Sequence, residues 1–307
     1  MNARSIWYNP QGAPRAPWRL AIFFIVFSAA LLVFSQAAMS IFRLGPASVQ
    51  LLHGQVILAW AFLLALLAAH FVSVRWVDSR PWTTIGLGAD DARPAPLALG
   101  TVLGALAVGT PGLLLLAVGW LDVVPGAAGS WWMTAFLLSM LYLPAALAEE
   151  LLFRGYPFAV LRSVAGSVFA VVATSVLFAL VHVENQTAMS DTSALWQGIL
   201  AVFVAGIFLG SIVVVTGSVY AAWAAHFAWN FVLGGIMHSP VSGIPVPAAD
   251  YRVVDGGPDW ATGGGWGPEG GAGALLGMLA AMAILFMISR RTRQPEATTA
   301  EQGEATA

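Results

Sequence analysis

Eight apolar segments of about 20 residues dominate this chain. A segment of that length crosses a hydrocarbon core of about 30 Å as an α-helix. Helices suit this setting because a backbone in lipid must satisfy its own polar groups. The sequence therefore predicts an all-α, polytopic membrane protein with about eight transmembrane helices in one bundle. The predicted segments are 19–42, 54–74, 96–121, 131–153, 166–183, 195–215, 218–236 and 271–289.

The composition agrees with a lipid environment and excludes several function classes. Only 9% of the residues are charged and 59% are hydrophobic, whereas globular chains carry about 25% charged residues. The net charge of −2 argues against a nucleic-acid partner, and the lack of cysteine excludes disulfides and thiolate chemistry. We expect the lipid bilayer as a partner and no nucleic acid.

The ends of the chain differ from its middle. Residues 1–18 combine Pro, Gly, Arg and Trp, which predicts a disordered or interfacial N-terminal segment. Residues 290–307 are small and polar, which predicts a disordered tail. Between them, 19–289 forms the predicted eight-helix domain, whose polar motifs fall within 130–236. The connection 237–270 is rich in Gly and Pro and predicts an irregular loop.

The arginines predict an orientation, because loops on the cytoplasmic side carry the excess of basic residues. If the N-terminus is inside, eight crossings leave only Arg43 and Arg252 outside, out of 13 basic residues. We therefore expect an integral, multi-pass protein of a bacterial or archaeal cytoplasmic membrane. Both termini would be cytoplasmic, and the 237–270 loop would lie outside.

Three charged residues lie in or directly after the fourth apolar segment, and a charge at mid-membrane costs about 2.5–3.5 kcal/mol. Glu150 and Arg154 are spaced i, i+4 with the acid first, the favourable order for an ion pair on one helix face. Glu149 is rotated by about 100° from Glu150. This geometry leaves Glu149 without the arginine and predicts an unpaired carboxylate.

Two later segments each carry a histidine in an apolar context. Phe178 precedes His182 by four residues, and His226 precedes Asn230 by the same interval. Each pair therefore lies on one helix face. A single histidine of this kind is more often a core residue than a catalytic one. Together with the unpaired Glu149, however, the set supplies a proton acceptor, a proton carrier and hydrogen-bond donors for acid–base chemistry.

The order E-E-x-x-x-R, F-x-x-x-H, H-x-x-x-N resembles the three motifs of the CPBP intramembrane proteases, a family that includes CAAX prenyl-protein endopeptidases and bacteriocin-processing proteins. The resemblance covers about residues 77–236. It implies that Glu149 activates water with help from His182, and that His226 and Asn230 stabilise the oxyanion. Glu150, Arg154 and Phe178 would support these four. The implied substrate is a peptide or a membrane protein, prenylated or not.

The resemblance leaves the metal question open, because members of the family have been described both as glutamate proteases and as metalloproteases. Glu149, His182 and His226 would supply three zinc ligands with an open fourth position. We favour the reaction without a metal and expect no cofactor.

Two other function classes fit intramembrane Glu and His residues. One is a proton- or ion-coupled transporter, in which such residues form a relay. The other is a catalytically silent membrane scaffold that keeps the motifs. Neither H-E-x-x-H nor G-x-S-x-G occurs in the chain, so zincin and serine-hydrolase signatures are missing.

The depth of the site follows from helix lengths. Glu149 and His182 meet at one level if the chain turns near their midpoint, at Ala165 and Gly166. A helix over 130–162 would be about 50 Å long, so its end would project into the cytoplasm. We therefore expect a cavity that opens to the cytoplasm. The polar residues at 184–186 would line it, because unsolvated polar groups are costly in lipid.

Overall fold

The computed structural model of the protein describes residues 7–8, 14–189 and 192–292. In this part of the chain, eight principal helices follow one another and a two-stranded sheet joins two of the connections. The helices are α1 (Ala16–Ile41), α2 (Leu52–Val72), α3 (Pro94–Ala117), α4 (Trp131–Arg154), α5 (Tyr156–Val181), α6 (Leu195–Thr216), α7 (Val219–Asn230) and α8 (Ala272–Thr292). The strands are β1 (Leu121–Pro125) and β2 (Tyr251–Asp255).

The predicted all-α, polytopic membrane fold is confirmed. Six helical stretches in the described residues are long and apolar enough to cross a membrane. One of them, Trp131–Ala188, contains both α4 and α5. α7 is short, but it continues as a π-helix over Phe231–Ile236. The count of eight transmembrane helices is therefore approximate, and the helix ends lie within a few residues of the predicted ones except as described next.

The chain between α4 and α5 differs from the predicted continuous helix over 130–162. α4 ends at Arg154, and the backbone leaves the helical conformation at Gly155 (φ −81°, ψ −130°). Tyr156 N–H, at the start of α5, donates a hydrogen bond to His70 Nε2 of α2 at 3.0 Å. A histidine distant in sequence thus caps α5. The residues near the start of α5 do not predict this contact.

The predicted turn near Ala165 and Gly166 is present. Gly166 interrupts α5 with φ 81° and ψ 172°, a conformation that favours glycine. The helix therefore begins at Tyr156, ten residues before the predicted start of this segment at 166, and is kinked at Gly166 before it reaches His182. The break allows the end of α5 to return to the level of Glu149.

Helices α1 and α8 extend into the two terminal segments. Residues 16–18 already belong to α1, and Trp7 stacks on Trp18 with 4.0 Å between ring centroids. Stacked aromatic pairs of this kind are stabilising, although Trp7 remains half-exposed. At the other end, α8 continues to Thr292, so 290–292 are helical rather than part of a disordered tail. Residues 1–6, 9–13 and 293–307 lie outside the described residues.

The connection 237–270 is not an irregular loop throughout. β2 pairs antiparallel with β1, with Leu121 opposite Asp255 and Pro125 opposite Tyr251. Leu121, predicted as the last residue of the third segment, is therefore part of a strand. Strand pairing depends on a partner far away along the chain, so it cannot be inferred from the local abundance of Gly and Pro.

Close contact between α3 and α7 fixes the helix that carries His226. At Gly100 and Gly104 of α3, a Cβ would overlap the carbonyl oxygens of Ala221 and Ala225. Small residues let helix backbones approach in this way and are typical of membrane helix pairs. α7 is thereby held in the middle of the bundle, with His226 and Asn230 buried.

The arginine distribution leads to a prediction of orientation. Reporter fusions at Gly264 and Ala307 should report opposite compartments, with Ala307 in the cytoplasm, because the positive-inside rule places most arginines there. An activity-based pair such as alkaline phosphatase and a fluorescent protein measures this in cells. Signals from the same compartment at both positions would contradict the topology.

Candidate active site

The two adjacent acids on α4, Glu149 and Glu150, differ in burial and in their contacts. Glu150 is fully buried, and its Oε1 accepts a hydrogen bond from Arg154 Nη1 at 3.3 Å. The side chain of Glu149 is 29% exposed, and its Oε2 lies 3.7 Å from His226 Nε2. The i, i+4 ion pair that the spacing predicts is present. Of the two acids, only Glu149 is accessible.

Arg154 is also held by groups outside α4. Its Nη2 donates to the Gly206 carbonyl of α6 at 3.0 Å. Its guanidinium lies over the Phe178 ring, 4.5 Å from the centroid. A buried charge needs such partners because desolvation alone would expel it. Arg154 therefore links α4, α5 and α6 directly behind the acidic pair.

Glu150 has a second partner that the sequence does not predict. His226 Nδ1 donates to Glu150 Oε1 at 2.8 Å. This bond fixes the ring of His226, so that Nε2 faces Glu149. No sequence signal marks the contact, because the two residues lie on different helices. Glu150 thus orients a site histidine in addition to pairing with Arg154.

His182 lies at the end of α5, where the helix changes to a 3-10 turn over His182–Ala188. Its Nδ1 donates to the Phe178 carbonyl at 2.6 Å, because a carbonyl oxygen can only accept. Nε2 is therefore the atom left for substrate or water. The Phe178 ring contacts both histidines, with centroid distances of 4.6 Å to His182 and 6.0 Å to His226.

One cavity of about 520 Å³ brings the predicted residues together. Glu149, His182, His226 and Asn230 all line it. Most of the other lining side chains are apolar and come from α2, α4 and the connection after α7. A largely apolar cavity with a few convergent polar groups is typical of a ligand site.

The cavity mouth lies beside the connection after α7, whereas the sequence predicts an opening to the cytoplasm. Of the lining residues, Val181, Ile244, Pro245 and Pro247 are exposed, and three of these four belong to the connection after α7. The arginine distribution places that connection outside. The predicted orientation and the predicted opening are therefore incompatible. The helix arithmetic treated the connection as a loop away from the site, and the orientation and the opening both stay predictions.

The polar stretch at 184–186 also lines the cavity less than predicted. Only Asn185 is a lining residue, whereas Glu184 and Gln186 are exposed. Asn185 Nδ2 donates to the Ser242 carbonyl at 2.8 Å. This bond ties the end of α5 to the cavity wall and explains why Asn185 alone turns inward.

Glu269 is a buried acid in the connection 237–270, which the sequence predicts as an irregular loop. It is 5% exposed and accepts hydrogen bonds from Trp229 Nε1 and from the backbone N–H of Ser242. Burial raises the pKa of Glu269 above its ordinary value, and the hydrogen bonds from Trp229 and Ser242 oppose this shift. Trp229 precedes Asn230, so Glu269 fixes the cavity wall relative to the helix that carries Asn230.

The predicted zinc ligands do not form a preassembled metal site. Glu149 and His226 are in contact through Oε2 and Nε2. However, no group of three His, Asp or Glu side chains within 7–8, 14–189 and 192–292 is placed to hold a metal ion. The described geometry thus fits a two-residue contact better than a closed three-ligand set.

Comparison with known proteins identifies the segment that carries these residues. Residues 130–232 match the family model of the type II CAAX prenyl endopeptidases, Rce1-like. No curated protein and no solved structure matches the chain. The matched segment runs from the N-cap of α4 to just beyond Asn230 and therefore includes all four lining residues that the motifs predict. Over residues 130–232, the chain is therefore similar to the Rce1-like type II CAAX prenyl endopeptidases, a family of proteases.

Proposed function

We propose that the chain is an intramembrane endopeptidase in which Glu149 activates the attacking water. His182 assists through Nε2, and His226 and Asn230 donate hydrogen bonds to the oxyanion. The observation that supports this proposal most is that these four residues line one cavity while Glu150 is buried and already paired. Glu149 is therefore the carboxylate left to accept a proton.

The proposed reaction has two steps. Glu149 takes a proton from water as the water oxygen bonds to the scissile carbonyl carbon, and the carbonyl oxygen becomes an oxyanion. Donors placed around the developing negative charge lower the barrier, which is the role proposed for His226 and Asn230. The carbon–nitrogen bond then breaks. The leaving amine receives the proton that Glu149 had accepted, so the enzyme returns to its initial state.

His226 is the most constrained of these groups. Because Nδ1 donates to Glu150, its Nε2 faces Glu149 and the cavity. Asn230 follows one turn later on the same face of α7. In its doubly protonated form, in which Nε2 also carries a hydrogen, His226 presents with Asn230 two adjacent hydrogen-bond donors to a single bound group. Glu150 takes part only as the residue that orients His226.

The family description makes a prenylated peptide the first substrate to test. Purified protein in detergent or liposomes should cleave an internally quenched, farnesylated peptide that ends in a CAAX sequence, with the cut identified by mass spectrometry. The unprenylated twin of the peptide tests whether the apolar cavity requires the prenyl group. If wild-type protein cleaves neither peptide faster than the Glu149→Gln variant does, the proposed function is wrong.

Metal independence is a separate prediction. Chelation with EDTA or 1,10-phenanthroline, followed by desalting, should leave the cleavage rate within about twofold, because the proposed base is a carboxylate that acts directly on water. Metal content is measured on the same sample. One equivalent of zinc, with activity lost on its removal and restored on its return, would contradict this prediction and support metal-bound water instead.

A further inference from the structure

Ser242 belongs to the connection after α7 and to none of the three motifs, yet it lines the same cavity as the four motif residues. It also lines a smaller recess of about 30 Å³, together with His182, His226 and Asn230. Ser242 is only half-buried, so part of it stays accessible. It therefore lies beside the groups proposed to act on the scissile bond, at a wall that a bound peptide can touch.

The backbone at Ser242 has a conformation that serine rarely adopts. Val241 and Ile244 pair through two backbone hydrogen bonds, of 3.0 and 2.9 Å. The two residues between them, Ser242 and Gly243, form a turn with φ angles of 50° and 79°. Two positive φ angles are the pattern of a type I′ turn, which prefers Gly, Asn or Asp. A serine in this strained position beside a candidate active site points to a function for its hydroxyl.

Glu269 sets the direction of that hydroxyl. Its two oxygens accept hydrogen bonds from Trp229 Nε1 and from the backbone N–H of Ser242. The Ser242 hydroxyl also hydrogen-bonds to the Glu269 side chain. Donors on both oxygens favour the charged carboxylate, which can only accept. The hydroxyl hydrogen therefore points to Glu269, and the lone pairs of Oγ are left as acceptors for a ligand in the cavity.

A peptide bound in this cavity needs such an acceptor. Each amide brings an N–H as well as a carbonyl, and a buried N–H without a partner weakens binding. In the proposed reaction, Glu149 accepts a proton from water, while His226 and Asn230 donate to the carbonyl oxygen. These roles leave the peptide N–H groups without an assigned partner. Ser242 Oγ supplies an acceptor beside the same residues.

We propose that Ser242 is a substrate-binding residue whose Oγ accepts a hydrogen bond from the N–H of one of the two amides that flank the scissile bond. This inference rests on the proposed endopeptidase function. It assigns to Ser242 the register of the peptide in the cavity, whereas bond cleavage is assigned to Glu149 and its neighbours.

The first test is Ser242→Gly, which removes the hydroxyl and fits the backbone of the turn. On the farnesylated CAAX peptide, KM should rise about three- to tenfold, the range expected for one neutral hydrogen bond. kcat should stay within about twofold, because the bond forms in both the bound and the transition state. The thermal midpoint in detergent should stay close to that of wild type, because glycine relieves the strained φ while the bond to Glu269 is lost.

The second test uses two peptides in which an ester replaces one or the other flanking amide. An ester removes the N–H, so it separates a contact with the substrate from a change in the cavity wall. For wild-type protein, one of the two ester peptides should have a KM about three- to tenfold above that of the all-amide peptide. Ser242→Gly should show the same KM for that ester peptide and for the all-amide peptide, because the partner of the N–H is already gone.

Ser79→Gly is the matched control. Ser79 also has a positive φ, 51°, but it is exposed and does not line the cavity. Its variant should keep wild-type kinetics on all three peptides. A wild-type KM in Ser242→Gly, or an undiminished response of Ser242→Gly to the ester, would overturn the inference. So would a lower kcat with unchanged KM, because the hydroxyl would then act on the reacting atoms. Wild-type protein that cleaves no better than Glu149→Gln would instead overturn the proposed function.

Discussion

Replacing Glu149 with glutamine should abolish peptide cleavage while the protein stays folded. Glutamine keeps the shape of the side chain but cannot accept a proton from water, so the rate should fall by about 10²–10⁴-fold, the usual contribution of a general base. Its fold should survive because Glu149 is 29% exposed and makes no contact shorter than 3.7 Å with His226. Cleavage of the quenched peptide and the thermal midpoint in detergent measure the two effects.

Glu184→Gln provides the same chemical change outside the site. Glu184 is exposed and does not line the cavity. Its variant should retain wild-type activity and stability, since surface substitutions usually change stability by less than about 0.5 kcal/mol. An active Glu149→Gln protein would remove Glu149 from the mechanism. Loss of activity in both variants would mean that the assay reports protein quality rather than catalysis.

Breaking the buried ion pair should have the largest effect on stability. Arg154→Met leaves the Glu150 carboxylate in the interior with only His226 as a partner. Removing one member of a buried pair typically costs about 3–5 kcal/mol. Glu150→Gln should also destabilise the protein, because it leaves the Arg154 charge without its carboxylate. Thermal or denaturant unfolding in detergent measures both.

The double variant, Glu150→Gln with Arg154→Met, tests whether the pair acts as a unit. It removes both charges, so its loss of stability should be smaller than the sum of the two single losses. Arg93→Met is the exposed control, because the Arg93 side chain is exposed and its Nε donates to the carbonyl of nearby Asp90. Single variants as stable as Arg93→Met would contradict the proposed structural role of the pair.

The ion pair illustrates what could be inferred from the sequence. Glu150 and Arg154 are four residues apart on one helix, so their contact follows from helix geometry alone. The contact between Glu150 and His226 does not, because it depends on how α4 packs against α7. Both bonds involve the same oxygen atom of Glu150, yet only the first is encoded within a few residues of chain.

The cavity, too, could be inferred from the sequence only in part. Helix lengths predicted the turn near Gly166, and that turn is present. Helix lengths did not predict that the connection after α7 folds over the site and supplies Ile244, Pro245 and Pro247 to the cavity. Gly- and Pro-rich sequence carries no periodicity from which such a position could be read. Ser242 was missed for the same reason, because it belongs to that connection.

The sequence by itself determined the membrane-embedded helical class and the order of the polar motifs. It did so because lipid forces the backbone into helices and because a charge within an apolar segment is costly enough to need a purpose. Tertiary structure alone decided that Glu150 orients His226 and that Glu269 and Asn185 hold Ser242 in the cavity wall. These contacts join segments far apart in the chain, and their formation depends on helix packing, which no local pattern specifies.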